Sequence, residues 1–241
     1  MGRSSFTERE AKINLVNENI LIEGHLTYGN FSKINTSIIN PNIMGCFAYI
    51  PKMECNHGVI SMDHSVNGRL KYGNTHLEFL NDRGYIEKDW GSSFPEQYIW
   101  IQANNFEKQG DSFMCSIAKI PMLGVKFNGL IANLHHNGKE YRFATYNNSK
   151  ILEISHNKDG VSLKLSKKDI KLFIHAIFDT KGSLKAPTKG TMSNTIKEGL
   201  GGKISLTLTQ KGKTMAEITS PYAGIEIVGY GTEVTDRKLK I

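Results

Sequence analysis

Tyr85, Glu87 and Asp89 alternate along one short run, Tyr85-Ile86-Glu87-Lys88-Asp89-Trp90. Side chains two apart in a strand share a face, so a phenol and two carboxylates stand in a row. After a bend at Gly91-Ser92-Ser93-Phe94-Pro95, a second run puts Tyr98, Trp100, Gln102 and Asn104 on one face and Ile99, Ile101 and Ala103 on the other. The latter is a core face. The former mixes rings, amides and a phenol, a combination that a pure core does not select. Two neighbouring carboxylates in apolar surroundings raise the pKa of one of them, through desolvation and mutual repulsion. That keeps a proton available near neutral pH, as a general acid requires. Aromatic faces stabilise cations through their quadrupole. Taken together, these parts suit proton delivery to a hydrophobic substrate. Salt bridges to Lys or Arg on neighbouring strands are the structural explanation of the same carboxylates.

A second constellation is Glu54-Cys55-Asn56-His57. If extended, it puts Glu54 and Asn56 on one face and Cys55 and His57 on the other. His57 then relays a proton or orients a phenol, or is satisfied within a strand hydrogen-bond network. Cys55 reads as a small buried residue in preference to a thiol nucleophile. His135 and His136 are adjacent and point to opposite faces, and His25, His64, His76, His156 and His175 are isolated. With no HExxH, cysteine cluster or aspartate-rich loop, no metal site is expected. Gly199-x-Gly201-Gly202 precedes a strand rather than a helix, so it is no dinucleotide fingerprint. There is no G-x-S-x-G elbow. No cofactor is expected.

The elements that must carry these groups are strands. Gly58–Val66, Arg69–Tyr72 and Thr75–Leu80 are separated by Asn67-Gly68 and Gly73-Asn74, and Asn81-Asp82-Arg83-Gly84 turns the chain into the Tyr85 run. Asn-Gly is a strong hairpin signal. Phe113–Ile120, Lys126–His136, Lys139–Tyr146, Lys150–His156, Val161–Leu165 and Ile170–Phe178 follow as a meander with turns such as Asn137-Gly138. Lys203–Gln210, a Lys211-Gly212 turn, Thr214–Thr219 and Ile225–Tyr230 complete it. Ile13–Tyr28 alternates weakly around a turn at Asn17-Glu18-Asn19. Residues 1–11 read as loose and Gly182–Glu198 as a long loop, with capping-box spacing at Thr195–Glu198. The fold class is all-β, with less than about 15% helix, well under the globular norm.

Length and composition agree. A chain of 241 residues, 39% hydrophobic and 22% charged, buries a sizeable core. No apolar run approaches the ~20 residues that span a bilayer, and the first residues lack the apolar segment of a secretory signal. Cys46, Cys55 and Cys115 form no CxxC pair and read as reduced thiols. A cytoplasmic protein is expected. The net charge of +7 is uneven: residues 1–120 hold 11 Lys and Arg against 13 Asp and Glu, and residues 121–241 hold 19 against 10. The excess lies in Lys164, Lys167, Lys168, Lys171, Lys181, Lys185, Lys189 and the tail Arg237-Lys238-Leu239-Lys240. It implies weak contact with an anionic membrane surface, or lysines that keep strand edges apart. No motif points to nucleic acid.

Several runs together resemble the tocopherol cyclase family. The Glu87-Lys88-Asp89-Trp90-Gly91 run precedes Phe94-Pro95 and then an aromatic strand. Met44-Gly45-Cys46-Phe47 stands before Pro51-Lys52-Met53-Glu54-Cys55-Asn56-His57. Ile120-Pro121-Met122-Leu123-Gly124, Arg142-Phe143-Ala144-Thr145-Tyr146, Lys185-Ala186-Pro187 and Met192 through Glu198 complete the set. They occur in the family's order, from about Met44 to Val228. The family's usual opening block with Phe-Glu-Gly-Trp-Tyr has no counterpart here.

The resemblance implies two lipocalin-like antiparallel barrel or sandwich lobes, as in carotenoid hydratase-type folds. The first is expected at 1–92 and incomplete, and the second at 93–241. An incomplete lobe implies an open sheet edge, and with it a homodimer or a partner that supplies strands. The implied activity is cofactor-free cyclisation of a prenylated hydroquinone: a prenyl double bond is protonated and the phenol oxygen traps the cation. A non-catalytic carrier of a hydrophobic ligand is the other reading. Glu87, Asp89 and Tyr85 are the implied catalytic set, with Glu87 as the acid. Trp100, Tyr98, Gln102, Asn104, Glu54, His57 and Trp90 are the implied substrate-binding set.

Overall fold

Alternating apolar residues between short turns make most of this chain strand: 69% of the described residues are strand and 4% helix. The structure, a computed structural model, describes residues 2–17, 20–51, 53–122, 125–179, 182–188 and 190–230. The basic tail from Arg237, Lys181, Lys189 and the turn residues Glu18 and Asn19 lie outside them.

Five strands form the first sheet in chain order: β1 (Ser5–Phe6), β2 (Glu10–Asn17), β3 (Ile20–Tyr28), β4 (Cys55–Tyr72) and β5 (Thr75–Gly91). The rest are β6 (Tyr98–Ala103), β7 (Ser112–Met122), β8 (Val125–His136), β9 (Lys139–Ala144), β10 (Lys150–His156), β11 (Gly160–Lys167), β12 (Ile170–Ile177), β13 (Gly182–Thr188), β14 (Thr191–Gln210) and β15 (Lys213–Val228). They form a second, antiparallel sheet in the order β10-β11-β12-β14-β15-β6-β7-β8-β9, with β13 paired to β14. This sheet curls into a half-barrel. Short 3-10 turns occupy Gly45–Tyr49 and Thr145–Asn147.

The half-barrel is filled. Ile99 and Ile101 of β6 meet Phe113 and Ile117 of β7, Leu134 of β8, Phe143 of β9, Leu165 of β11, Leu172 and Ile174 of β12 and Ile225 of β15, all essentially inaccessible to water. Each such side chain contributes about 1.5–3 kcal/mol of burial. The other face of β6 carries Tyr98 and Trp100 away from this core. There a smaller cluster joins the sheets: Met62 of β4 and Met114 of β7 pack with Ile34, Ile43 and Met44 of the long β3–β4 connection.

The turn signals divide into two kinds. Asn137-Gly138 and Lys211-Gly212 have positive φ at both positions, 53° and 72°, 49° and 79°. They close two-residue hairpins, as type I′ geometry requires. Asn67-Gly68 does not turn the chain. β4 runs through it, and the register slips between Val66 and Gly68. Gly68 has φ 138°, and a Cβ there would sit 2.1 Å from the His25 carbonyl oxygen. Asn81, at φ 58°, lies likewise within β5. The same backbone freedom that permits a hairpin also permits a bulge, and a partner strand on each side decides which forms.

Three further expectations are corrected. Gly182–Glu198 is a strand pair, β13 with β14, not a loop, and Thr195–Glu198 is extended rather than helical. Pro187 is accommodated at the register shift between Ala186 and Thr188, where no ladder donor is needed. Residues 1–11 are not loose throughout, since β1 pairs β2 and Ala11 is 1% exposed. Thr214–Thr219 and Ile225–Val228 are parts of one strand, β15, which pairs with β14 through register shifts near Gly202 and with β6 from Gly224 onward.

Candidate active site

β4 and β5 bring the first constellation together with the second. His57 stands directly opposite Asp89 in their ladder, and Val59 stands opposite Glu87. His57 Nδ1 lies 2.7 Å from Asp89 Oδ1. Its Nε2 lies 3.2 Å from Glu87 Oε2, within ion-pair range, but without the alignment of a hydrogen bond. The Tyr85 hydroxyl donates to the same Glu87 oxygen at 2.5 Å. The His57 backbone N–H donates to Met44 Sδ at 3.1 Å.

His57 is 8% exposed. Burial by itself lowers the pKa of an imidazole. Here the hydrogen bond to Asp89 and the charges of Glu87 and Asp89 outweigh it and raise His57 to about 10. The ring is thus an imidazolium at neutral pH. Burial, then the charge and hydrogen bond of Glu87, push the Tyr85 phenol well above its usual value, so it stays protonated. The Cys55 thiol is pushed up to about 12, by burial first and then by the charges of Asp89 and Glu54. A thiolate nucleophile is thereby disfavoured.

His57, Glu87 and Asp89 form one wall of a cavity of about 220 Å³ between the two sheets, while Tyr85 is bonded to Glu87 but is not part of the lining. Tyr98 and Trp100 of β6, Ala118 and Ile120 of β7, Phe127 of β8, and Phe94 and Pro95 of the inter-sheet linker form much of the rest. Met44 and Phe47 reach in from the β3–β4 connection. Trp100 lies over Gly224 of β15, where a Cβ would come within 2.8 Å of its Cζ3. Its Nε1–H is buried with no hydrogen-bond partner among the described residues. Tyr98 donates to Glu226 Oε2 at 2.7 Å.

The structure thus gathers Tyr85, Glu87, Asp89, His57, Tyr98 and Trp100. It places four other sequence-predicted residues elsewhere. Trp90 is on the opposite face of β5, its ring over Gly58 and under Lys88 Nζ. Gln102 and Glu54 are not among the cavity's lining. Asn104 donates to the Gly84 carbonyl at 2.8 Å and borders a separate hollow. Glu226 is a functional candidate that sequence reasoning missed. Its only local signal is its place between Ile225 and Ile227, which turns it away from the core. That it meets Tyr98 depends on β15 pairing with β6, a contact between residues more than a hundred positions apart.

One ligand atom each from His57, Glu87 and Asp89 lie within 4.8 Å of one another, close enough for a single cation. Both ring nitrogens already face carboxylates, so a metal must first displace the imidazolium proton.

Residues 9–229 match the sequence profile described as tocopherol cyclase-like. The chain belongs to the tocopherol cyclase-like family. It is 25% identical over 199 residues to a probable chloroplastic tocopherol cyclase of Oryza sativa subsp. japonica, covering 77% of this chain and 42% of that protein. It is 24% identical over 106 residues to a chloroplastic tocopherol cyclase of Zea mays, covering 42% and 22%. The chain therefore spans less than half the length of these family members. Kievitone hydratase from Nectria haematococca has the same fold at a TM-score of 0.55 and 10% identity, covering 94% of this chain and 69% of that one. A putative AttH from Nitrosomonas europaea follows at 0.52 and 14%, covering 92% and 65%. Among the described residues of this tocopherol cyclase-like chain, no helix is long and apolar enough to cross a membrane.

Proposed function

We propose that this protein cyclises a prenylated hydroquinone, protonating an alkene of the tail and trapping the cation with the phenol oxygen. One observation carries the reading. The His57 ring sits between the Glu87 and Asp89 carboxyl groups, with the Tyr85 phenol bonded to Glu87, at the wall of a cavity otherwise rich in apolar and aromatic groups. Family membership supports the reaction class.

An alkene is a very weak base, and an imidazolium with a pKa of about 10 is a weak acid. His57 is therefore the proton store rather than the final donor. A small turn of the Glu87 carboxylate aligns it with Nε2, 3.2 Å away, and passing the proton across leaves a neutral imidazole and a carboxylic acid, which delivers the proton to carbon. Asp89 holds Nδ1 and fixes the ring plane. Trp100, Phe94 and Phe127 face the cation with their rings and exclude water. Overall, one C–H and one C–O bond form, and the phenol O–H bond and the alkene π bond break. The product is an isomer of the substrate, and no oxidant or reductant is consumed.

The carrier reading gives the cluster no task, because an apolar ligand gains nothing from charged groups at the wall beside it. The test is incubation of the protein with prenylated hydroquinones of several tail lengths in deuterium oxide, with products resolved by mass spectrometry. A cyclic isomer carrying one deuterium on the tail is expected, and Glu87→Gln should slow its formation by ~10²-fold or more. A tertiary alcohol, heavier by one water, would place water in the role of the phenol. No conversion across the whole panel sinks the proposal.

A further inference from the structure

The cyclisation just proposed moves two protons at two different atoms: one onto a tail carbon, and one off the phenol oxygen. The cluster on β4 and β5 accounts for the first. The opposite wall, on β6 and β15, carries a second acid–base pair. Tyr98 and Glu226 both line the cavity, and the Tyr98 hydroxyl donates to Glu226 Oε2 at 2.7 Å. Their positions follow from the ladder. Glu226 pairs with Trp100, so its side chain emerges on the same face of the sheet as Trp100 and Tyr98 and away from the filled half-barrel.

We infer that Glu226 is the catalytic base that takes the phenol proton as the ring closes, with Tyr98 as its positioning residue. This rests on the cyclisation reading. A substrate laid across the cavity presents its tail alkene to Glu87 on one sheet and its phenol to Glu226 on the other. As the proton from Glu87 forms the new C–H bond, the phenol oxygen attacks the tertiary carbon. The O–H bond breaks, and its proton passes to the Glu226 carboxylate. Glu226 then returns that proton to solvent, and the His57 cluster recovers one from solvent, so the cycle closes with no net change.

Tyr98 cannot itself be the base. Burial, then the charge and hydrogen bond of Glu226, drive its phenol far above its ordinary value. It stays a donor, holds one carboxylate oxygen in place and packs edge-on against Phe94 at 6.0 Å. Asp89 is committed to His57 Nδ1, and Ser116, which also lines the cavity, is no base at neutral pH.

The experiment uses two readouts on wild type, Glu226→Gln and Tyr98→Phe. The first is steady-state cyclisation of a prenylated hydroquinone. Glu226→Gln should lower kcat ~10²-fold or more with KM within a few-fold, and Tyr98→Phe about ten-fold. The second is the absorbance of bound 4-nitrophenol titrated with pH, which needs no turnover. A carboxylate beside the bound phenol disfavours phenolate, so wild type should raise the probe's pKa and Glu226→Gln should remove that rise. Equal kcat in Glu226→Gln and wild type overturns the assignment of the base. An unchanged probe titration shows that Glu226 does not meet the phenol, which also overturns it. Failure of wild type to cyclise anything sinks the cyclase reading alone, and the probe still decides whether Glu226 faces a phenol. Tyr98→Phe retains the carboxylate, so it keeps the test open should Glu226→Gln misfold.

Discussion

His57 and Asp89 face each other across the β4–β5 ladder, and the ring nitrogen Nδ1 lies 2.7 Å from the carboxylate. A directly opposed strand pair holds its Cβ atoms about 5 Å apart, so these two short side chains meet without backbone distortion. Glu87, two residues earlier on β5, reaches the other ring nitrogen diagonally. The ladder thereby fixes an imidazolium between two anions.

That arrangement makes stability depend on pH. The folded-state pKa of His57, raised to about 10, exceeds the ordinary histidine value near 6.5. Its contribution is complete below the lower value and is lost as pH rises through the higher one. At about 1.4 kcal/mol per pK unit, the total is on the order of a few kcal/mol. Urea unfolding between pH 6 and 10.5 should show wild type weakening across the window. His57→Gln should be weaker at neutral pH and flat there. Parallel curves would mean that the ring is not charged in the fold.

Tyr85 supports the same cluster through its 2.5 Å bond to Glu87. Hydrogen bonds to charged groups contribute about 1.5–3 kcal/mol. Tyr85→Phe should cost a figure in that range by denaturant titration. It should also slow turnover, since Glu87 loses a group that fixes its orientation. A variant as stable and as fast as wild type would remove Tyr85 from the site.

Gly224 sets the position of Trp100. A methyl group there meets the indole at 2.8 Å from Cζ3, so Gly224→Ala must push the ring into the cavity. Overpacking of this kind costs about 1–3 kcal/mol. Fluorescence titration with an apolar dye should show weaker binding, because the displaced ring occupies ligand space. Unchanged affinity would show that the ring does not bound the binding site.

Leu165 tests where the cavity is not. It is fully buried in the half-barrel, away from the inter-sheet face. Leu165→Ala should destabilise by about 2–5 kcal/mol while ligand affinity stays within two-fold. A large gain or loss of affinity would place the ligand inside the half-barrel.

The basic second half suggests a surface effect. Lys164 and Lys171 project from β11 and β12 between the inward Leu163, Leu165 and Leu172, and Lys164 Nζ lies 4.9 Å from the Phe173 ring centroid. Flotation with vesicles should show weak binding to anionic lipid that is lost at high salt, as screening shortens the reach of surface charge. Equal binding to neutral vesicles would discard this.

What the sequence alone determined follows from period and local backbone chemistry. Two-residue alternation gave the strands and put Tyr85, Glu87 and Asp89 on one face and Tyr98 and Trp100 on another, before any partner was known. Asn137-Gly138 and Lys211-Gly212 were legible as hairpins because positive φ at both positions is a local preference. The ordered motifs between Met44 and Val228 added the family.

Tertiary structure decided everything that depends on which strand lies beside which. Asn67-Gly68 became a bulge because β3 and β5 flank it, and the polar run from Gly182 became a strand because β14 pairs with it. His57 became an imidazolium only through the register that sets it opposite Asp89. Glu226 joined the site only through the β15–β6 ladder, which brings residues 98 and 226 together. Trp90, one residue from Asp89 in sequence, left the site because adjacent side chains in a strand point to opposite faces. Strand pairing joins residues far apart in sequence through backbone hydrogen bonds that every residue type can make, so side-chain identity carries little information about it.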